Sequence, residues 1–120
     1  MEELYAVWRG KADFLTVYIA EAHPKDGWRQ DDPQWDVMQP TSTEERLTVA
    51  RGWLDWLKPS SPHLVDPIED GARFAFAALP ERLYVLEAGA VQYQGGQGPF
   101  GYKPQEVEAW LRARFPDAKL

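Results

Sequence analysis

The chain has 120 residues, which is enough for one compact domain and too few for two. Its net charge is −6 and its basic residues are scattered, which argues against a nucleic-acid partner. No apolar run approaches the length of a membrane span and the N-terminus lacks signal-peptide features, so we expect one cytoplasmic domain. The absence of cysteine excludes disulfides, thiolate metal sites and a thiol nucleophile within these residues.

A helix and a strand are predicted for the first twenty residues. Leu4, Val7 and Trp8 share one helical face within residues 1–10, which are typical of the end of a helix. Residues 13–20 are almost continuously apolar, as in a strand that is buried on both faces.

A long connection and a second helix come next. Residues 21–41 are polar and rich in proline, and loops of this length are usually functional or disordered. Ser42 and Glu45 fit a capping box, which predicts that a helix begins there, and the Lys58-Pro59 pair ends it. The apolar stripe of this helix comprises Leu47, Ala50, Trp53, Leu54 and Leu57.

The second half of the chain predicts a strand at 63–66, a helix at 70–77 and strands at 82–87 and 91–94. The last two strands form a hairpin, because an Ala-Gly turn separates them. A final helix begins at Pro104 and buries Val107, Trp110, Leu111 and Phe115.

The order of elements is therefore α-β-loop-α-β-α-β-β-α. Helices and strands that alternate at this spacing are typical of an α/β fold, and the terminal hairpin indicates a mixed sheet flanked by helices.

Glu21 and His23 follow directly after the first predicted strand. If the extended geometry continues, residues i and i+2 point to the same side, so the carboxylate could orient the imidazole. A protonated imidazole is a general acid near neutral pH. The alternative is a pair of solvated loop residues. No two histidines have the spacing of metal ligands, so we expect no metal.

Three sequence blocks carry a family resemblance: YIAEAHPKDGW (18–28), ALPERLYV (78–85) and YQGGQGPFGY (93–102). Together they resemble the iodothyronine deiodinases, a branch of the thioredoxin-like superfamily. The resemblance implies a thioredoxin-like mixed sheet and a selenol- or thiol-dependent reductive dehalogenation. It implies no bound cofactor and an external thiol as the reductant.

The resemblance also assigns roles to individual residues. His23, backed by Glu21, would protonate the carbon that loses iodide. Pro80 would be a cis proline that faces the redox residue. The substrate site would be lined by Trp28, Pro80, Gln97 and Phe100. Trp28, Trp35 and Phe100 would form an aromatic pocket there; the alternative is that these loop aromatics only cover the core.

Three departures from the family pattern bear on the substrate and on redox chemistry. Pro40 stands where hormone-binding members carry a histidine, and Gln97 stands where some carry an arginine. Ser61 aligns with a further cysteine of the family. We therefore expect a small iodinated or aromatic substrate other than thyroid hormone.

In the family, the nucleophile follows a central strand and stands at the N-terminus of the first helix. Here the chain begins inside that helix, as it would if a UGA selenocysteine codon were read as a stop. We expect a domain truncated before its nucleophile and inactive alone. Strands 13–20 and 82–87 would then expose unpaired edges, which favours loose packing or a homodimer.

Two other functions fit the same residues. One is a thioredoxin-like peroxidase or redoxin, because Asp66-Pro67 followed by the Pro80 strand is common to that wider group. The other is a non-catalytic thioredoxin-fold binding module. A selenocysteine or cysteine codon upstream of Met1 would favour an enzyme.

Overall fold

The computed structural model describes residues 1–28 and 36–120, and its elements follow the predicted order. The predicted α/β class is confirmed. Among the described residues, no helix combines the length and the apolar character that crossing a bilayer requires. The elements are α1 (Glu2–Trp8), β1 (Thr16–Tyr18), α2 (Thr43–Leu57), β2 (His63–Val65), α3 (Gly71–Ala75), β3 (Tyr84–Glu87), β4 (Ala90–Gln94) and α4 (Pro104–Arg114).

Within residues 1–28 and 36–120, the strands form two separate two-stranded sheets in place of the expected single mixed sheet. β1 and β2 are parallel, with Thr16 opposite His63, and β3 and β4 form an antiparallel hairpin. The hairpin turn is as predicted: Ala88 and Gly89 both have positive φ, at 51° and 77°, and such a turn matches the twist of the flanking strands.

The prediction that the first strand is buried on both faces is wrong. β1 has only three residues, and Leu15, just before it, is 59% exposed. Val17 and its register partner Leu64 are exposed as well. The other face carries Tyr18, whose ring lies 6.1 Å from that of Trp53 on α2. The apolar run at 13–20 therefore predicts more burial of β1 than the structure shows, because the described residues cover only one face of this sheet.

The main apolar core lies between α1, α4 and the hairpin. Leu4 and Trp8 of α1 pack with Val107 and Leu111 of α4, as the helical spacing predicts. Val7 was placed on the same face but is exposed. Partly buried side chains complete the cluster: Ala12, Phe14, Leu83, Val85, Tyr93, Trp110, Phe115 and Ala118.

α2 begins as its sequence predicts, at a Ser42 cap. The Ser42 hydroxyl accepts from the Glu45 amide at 3.1 Å. The Glu45 carboxylate accepts from the Thr41 amide at 2.7 Å. The start of α2 is therefore well defined, which fixes the end of the long connection after β1.

Candidate functional site

The chain leaves the extended conformation soon after β1, and a glutamine side chain takes over the pairing of its backbone. The Glu21 amide donates to Gln39 Oε1 at 3.0 Å, and Gln39 Nε2 donates to the Glu21 carbonyl at 2.9 Å. One side-chain amide thus satisfies both backbone groups of Glu21, as a neighbouring strand would do.

The same connection is tied at two further points. The Gln39 amide donates to Asp26 Oδ1 at 2.8 Å, and the Lys25 amide donates to the Val37 carbonyl at 2.8 Å. These bonds join the segment after β1 to the segment before α2. The loop that carries Glu21 and His23 therefore has a fixed base.

His23 is oriented by a backbone carbonyl. Its Nδ1 lies 2.9 Å from the Trp28 carbonyl oxygen, and its ring meets the Trp28 ring edge-on at 5.0 Å. A carbonyl can only accept, so Nδ1 carries the hydrogen of this bond. Nε2 is then the ring nitrogen available to a substrate.

This arrangement differs from the expected pairing, in which Glu21 orients His23. The i, i+2 relation requires extended backbone, and β1 ends at Tyr18 before either residue is reached. The orienting partner of His23 in the structure is the Trp28 carbonyl. The catalytic roles of both residues stay predictions.

The carboxyl group of Glu21 lies in a partly buried setting near a fixed cation. Burial raises the pKa of Glu21, and the positive charge of Arg46 opposes that rise. Arg46 is 2% exposed and donates to the carbonyls of Asp66 and Pro67 at 2.9 and 2.7 Å. It also pairs with Asp70 at 2.8 Å. Glu21 consequently keeps a proton to higher pH than an exposed glutamate.

A second group of predicted site residues surrounds the segment before β3. The Leu79–Pro80 peptide is cis, as predicted. Gln97 Nε2 donates to the Leu79 carbonyl, and the Gly98 amide donates to the Glu81 carbonyl at 2.9 Å. The glycine-rich turn and the proline segment are thus joined, which brings Pro80 and Gln97 together.

The aromatic pocket stays a prediction, and two of its predicted walls are exposed side chains in the structure. Trp28 is 79% exposed and Phe100 is 93% exposed. Trp35 lies outside the described residues. The hydrogen bonds of Glu21 and His23 stay within their own loop, so a common cleft with Pro80 stays a prediction.

A cavity of about 350 Å³ lies elsewhere, at the N-terminal end of the β1–β2 sheet. The predicted site follows the C-terminal end of β1, so this cavity is not the proposed substrate site. It contains none of the predicted site residues and is lined by Tyr5, Arg9, Ala12, Asp13, Phe14, Leu15 and Pro62.

The sequence analysis did not identify two residues that have clear structural roles near the site. Arg46 lies one helical turn before Ala50, and a cation on the apolar stripe of a helix is a recognisable signal of a buried charge. Gln39 gives no such signal, because its partners are backbone atoms.

These features define an α/β domain with an oriented histidine and a half-buried carboxyl group on the loop after a parallel strand. The family model described as iodothyronine deiodinase matches residues 1–115. The chain therefore belongs to the iodothyronine deiodinase family.

Individual relatives agree with this assignment. The chain is 38% identical over 110 residues to a thyroxine 5-deiodinase of Bos taurus, covering 92% of this chain and 36% of that protein. The Homo sapiens thyroxine 5-deiodinase gives the same identity and coverage. That of Gallus gallus is 42% identical over 100 residues, covering 83% of this chain and 38% of that protein. The chain thus spans little more than a third of the length of these relatives.

Proposed function

We propose that these residues form one thioredoxin-like domain that supplies the proton in a reductive deiodination. The observation that carries the proposal is the family match together with the geometry of His23, whose Nδ1 is tied to the Trp28 carbonyl. The parallel β1–β2 pair and the β3–β4 hairpin, in this order with the helices, support a thioredoxin-like arrangement.

The reaction balances with a selenol or thiol that comes from outside these residues, because the chain has no cysteine. A selenolate or thiolate attacks the iodine and breaks the carbon–iodine bond. The electron pair of that bond stays on carbon, which takes a proton from His23 Nε2. An external thiol then attacks the selenium or sulfur that carries the iodine, which releases iodide and forms a selenenyl sulfide or a disulfide, and a second thiol regenerates the nucleophile. Two thiols are oxidised to a disulfide and one carbon is reduced.

His23 can perform this step without changing its orientation. The imidazolium carries a hydrogen on both nitrogens, so Nδ1 still donates to the Trp28 carbonyl while Nε2 gives up its proton. Glu21 keeps the supporting role beside His23 that the family resemblance gives it.

The proposed substrate is a small iodinated aromatic compound. The exposed rings of Trp28 and Phe100 offer faces on which an aromatic ring can stack. Pro40 and Gln97 carry no charge, so neither can pair with the phenolate or the carboxylate of a thyronine. The relatives are named for thyroxine, and we propose a different substrate here.

The test is a titration of the isotope-labelled 120-residue protein with 3,5-diiodotyrosine, using tyrosine as the matched ligand. The chain contains two histidines, so the His63 resonances serve as an internal reference for those of His23. We expect the His23 and Trp28 side-chain resonances to shift with diiodotyrosine and not with tyrosine. Equal responses to both ligands, or none, would contradict the proposal.

A second measurement concerns the nucleophile. With dithiothreitol as the only thiol, the 120-residue protein is expected to release no iodide from diiodotyrosine above the protein-free rate. Robust release would overturn the proposed mechanism, because it would show that dithiothreitol suffices without the separate nucleophile that the mechanism requires.

Two further expectations stay predictions. One is a homodimer paired through the free edges of β1 and β3, which sedimentation of the purified chain tests. The other is a cytoplasmic location, which cell fractionation tests.

A further inference from the structure

We propose that Gln39 is the positioning residue of this site: its side-chain amide holds the backbone that carries Glu21 and His23. The inference rests on the proposed function, since it assigns a role within the proposed proton-delivery site. It concerns a residue to which the family resemblance gives no function.

The first support is the completeness of the contacts. Both polar atoms of the Gln39 side chain are used on Glu21, at 3.0 and 2.9 Å. The Gln39 backbone amide holds Asp26 at 2.8 Å. The two residues that Gln39 binds lie on either side of His23 in the sequence. Gln39 therefore fixes the chain before and after the imidazole.

The second support is the chemistry of the side chain. A primary amide presents a donor and an acceptor in one plane, which is the pattern that one peptide group offers to another across a β-ladder. Glutamate has the same shape, but an ionised carboxylate cannot donate to the Glu21 carbonyl. Leucine has a similar volume and can do neither. The pairing therefore requires an amide at this position.

The third support is the placement of Gln39 on the chain. Buried Pro40 follows it, and Ser42 then caps α2. Gln39 thus has a short, defined connection to a fixed helix. The β1 end is also fixed, because the Asp66 amide donates to the Tyr18 carbonyl at 2.8 Å. The side-chain amide of Gln39 therefore connects two fixed parts of the chain, the end of β1 and the start of α2.

The experiment compares Gln39→Leu and Gln39→Glu in the 120-residue protein. Gln92 on β4 is exposed and provides the matched controls Gln92→Leu and Gln92→Glu. The readouts are hydrogen exchange of the Glu21 amide and the ring resonances of His23, with His63 as the reference. Circular dichroism establishes that each variant is folded.

In Gln39→Leu we expect exchange of the Glu21 amide to accelerate about tenfold or more, because its acceptor is gone. The His23 resonances should move toward those of a histidine in an unstructured peptide. The His63 resonances and both Gln92 variants should stay at wild-type values.

Gln39→Glu separates positioning from general stability. Near neutral pH the carboxylate leaves the Glu21 carbonyl without its donor, so His23 should be displaced as in Gln39→Leu. In acid the protonated carboxyl group can donate again. Each variant is compared with wild type at the same acidic pH. The differences in Glu21 amide exchange and in the His23 resonances should then become smaller for Gln39→Glu and stay the same for Gln39→Leu.

Unchanged Glu21 exchange and His23 resonances in folded Gln39→Leu would overturn the proposal. If Gln39→Leu unfolds, the Gln39→Glu variant provides the test. Its Glu21 exchange and His23 resonances must then approach the wild-type values in acid, and failure to do so would also overturn the proposal. Neither readout uses the iodinated ligand. If the wild-type resonances do not shift with diiodotyrosine, the proposed function is contradicted. If the Gln39 variants leave Glu21 exchange and the His23 resonances unchanged, only the positioning role is contradicted.

Discussion

The two ends of this molecule bury different kinds of side chain. Around α1, α4 and the hairpin, the buried cluster consists of Leu4, Trp8, Val107 and Leu111. Around β1, β2, α2 and α3, the largest buried side chains are Arg46 and Asp66, both charged. Glu21 and His23, the proposed proton-delivery residues, lie on the loop after β1 at the second end. Apolar burial thus holds one end together, and directional polar contacts position the functional end.

The two kinds of contact respond differently to substitution. Apolar contacts depend mainly on volume and area, so a residue of similar size retains most of the stabilisation. A buried charge depends on every partner, and removing one leaves the others unsatisfied. Substitutions at the two ends can therefore test whether apolar burial stabilises one end and polar contacts stabilise the other.

The largest effect is expected at the apolar end. Trp8 is 1% exposed, and Trp8→Ala should lower the free energy of unfolding by about 4 kcal/mol, because it removes a large side chain and leaves a cavity. Urea denaturation measures this loss. Trp8→Phe, which keeps most of the volume, should lose less than half as much. The exposed neighbour Val7→Ala is the control, and a loss at Val7 equal to that at Trp8 would contradict the comparison.

At the polar end, Arg46→Met should cost about 3 kcal/mol, since it leaves the Asp66 and Pro67 carbonyls and Oδ1 of Asp70 without the Arg46 donor. Arg51→Met, an exposed position on the same helix, should change the stability by less than about 0.5 kcal/mol. Thermal and urea unfolding of both variants gives the difference. If Arg46→Met and Arg51→Met lost similar amounts of stability, the buried network around Arg46 would contribute nothing beyond an exposed arginine.

A smaller effect is expected at the start of α2. Ser42→Ala removes the hydroxyl that accepts from the Glu45 amide and should cost about 1 kcal/mol. Thr48→Ala is the matched control within α2, because its hydroxyl bonds only to the Glu44 carbonyl one turn back. Chemical denaturation should show a loss for Ser42→Ala and little change for Thr48→Ala. The reverse order would contradict the assigned cap.

The smallest effect depends on pH. Burial raises the pKa of Glu21 in the folded protein above the ordinary value of 4.5, so its ionised form opposes folding. The favourable contribution of Glu21 is complete below pH 4.5 and is lost as the pH rises through the folded-state pKa. Glu21→Gln should therefore melt higher than wild type at pH 7, and the gap should narrow at pH 4. Exposed Glu44→Gln is the control, and a lower melting temperature for Glu21→Gln at pH 7 would contradict the sign.

Much of the fold could be predicted because its signals are local. Ser42 and Pro104 begin helices, and the Ala88-Gly89 turn indicates the hairpin. The exposure of Leu15 could not be predicted, since an apolar run does not say which face of a strand is covered. The partner of His23 could not be predicted either, because a backbone carbonyl belongs to every residue and leaves no mark in the sequence.

The connectivity of the two sheets has a consequence for the order in which the chain folds. The hairpin closes across a two-residue turn, whereas β1 reaches β2 only after the whole of α2 has been traversed. Closing a long loop costs more entropy than closing a short one, so the hairpin is expected to form early and the parallel pair late. The loop with Glu21 and His23 directly follows the end of β1. It is therefore expected to be among the last parts of the molecule to gain protection from hydrogen exchange during refolding.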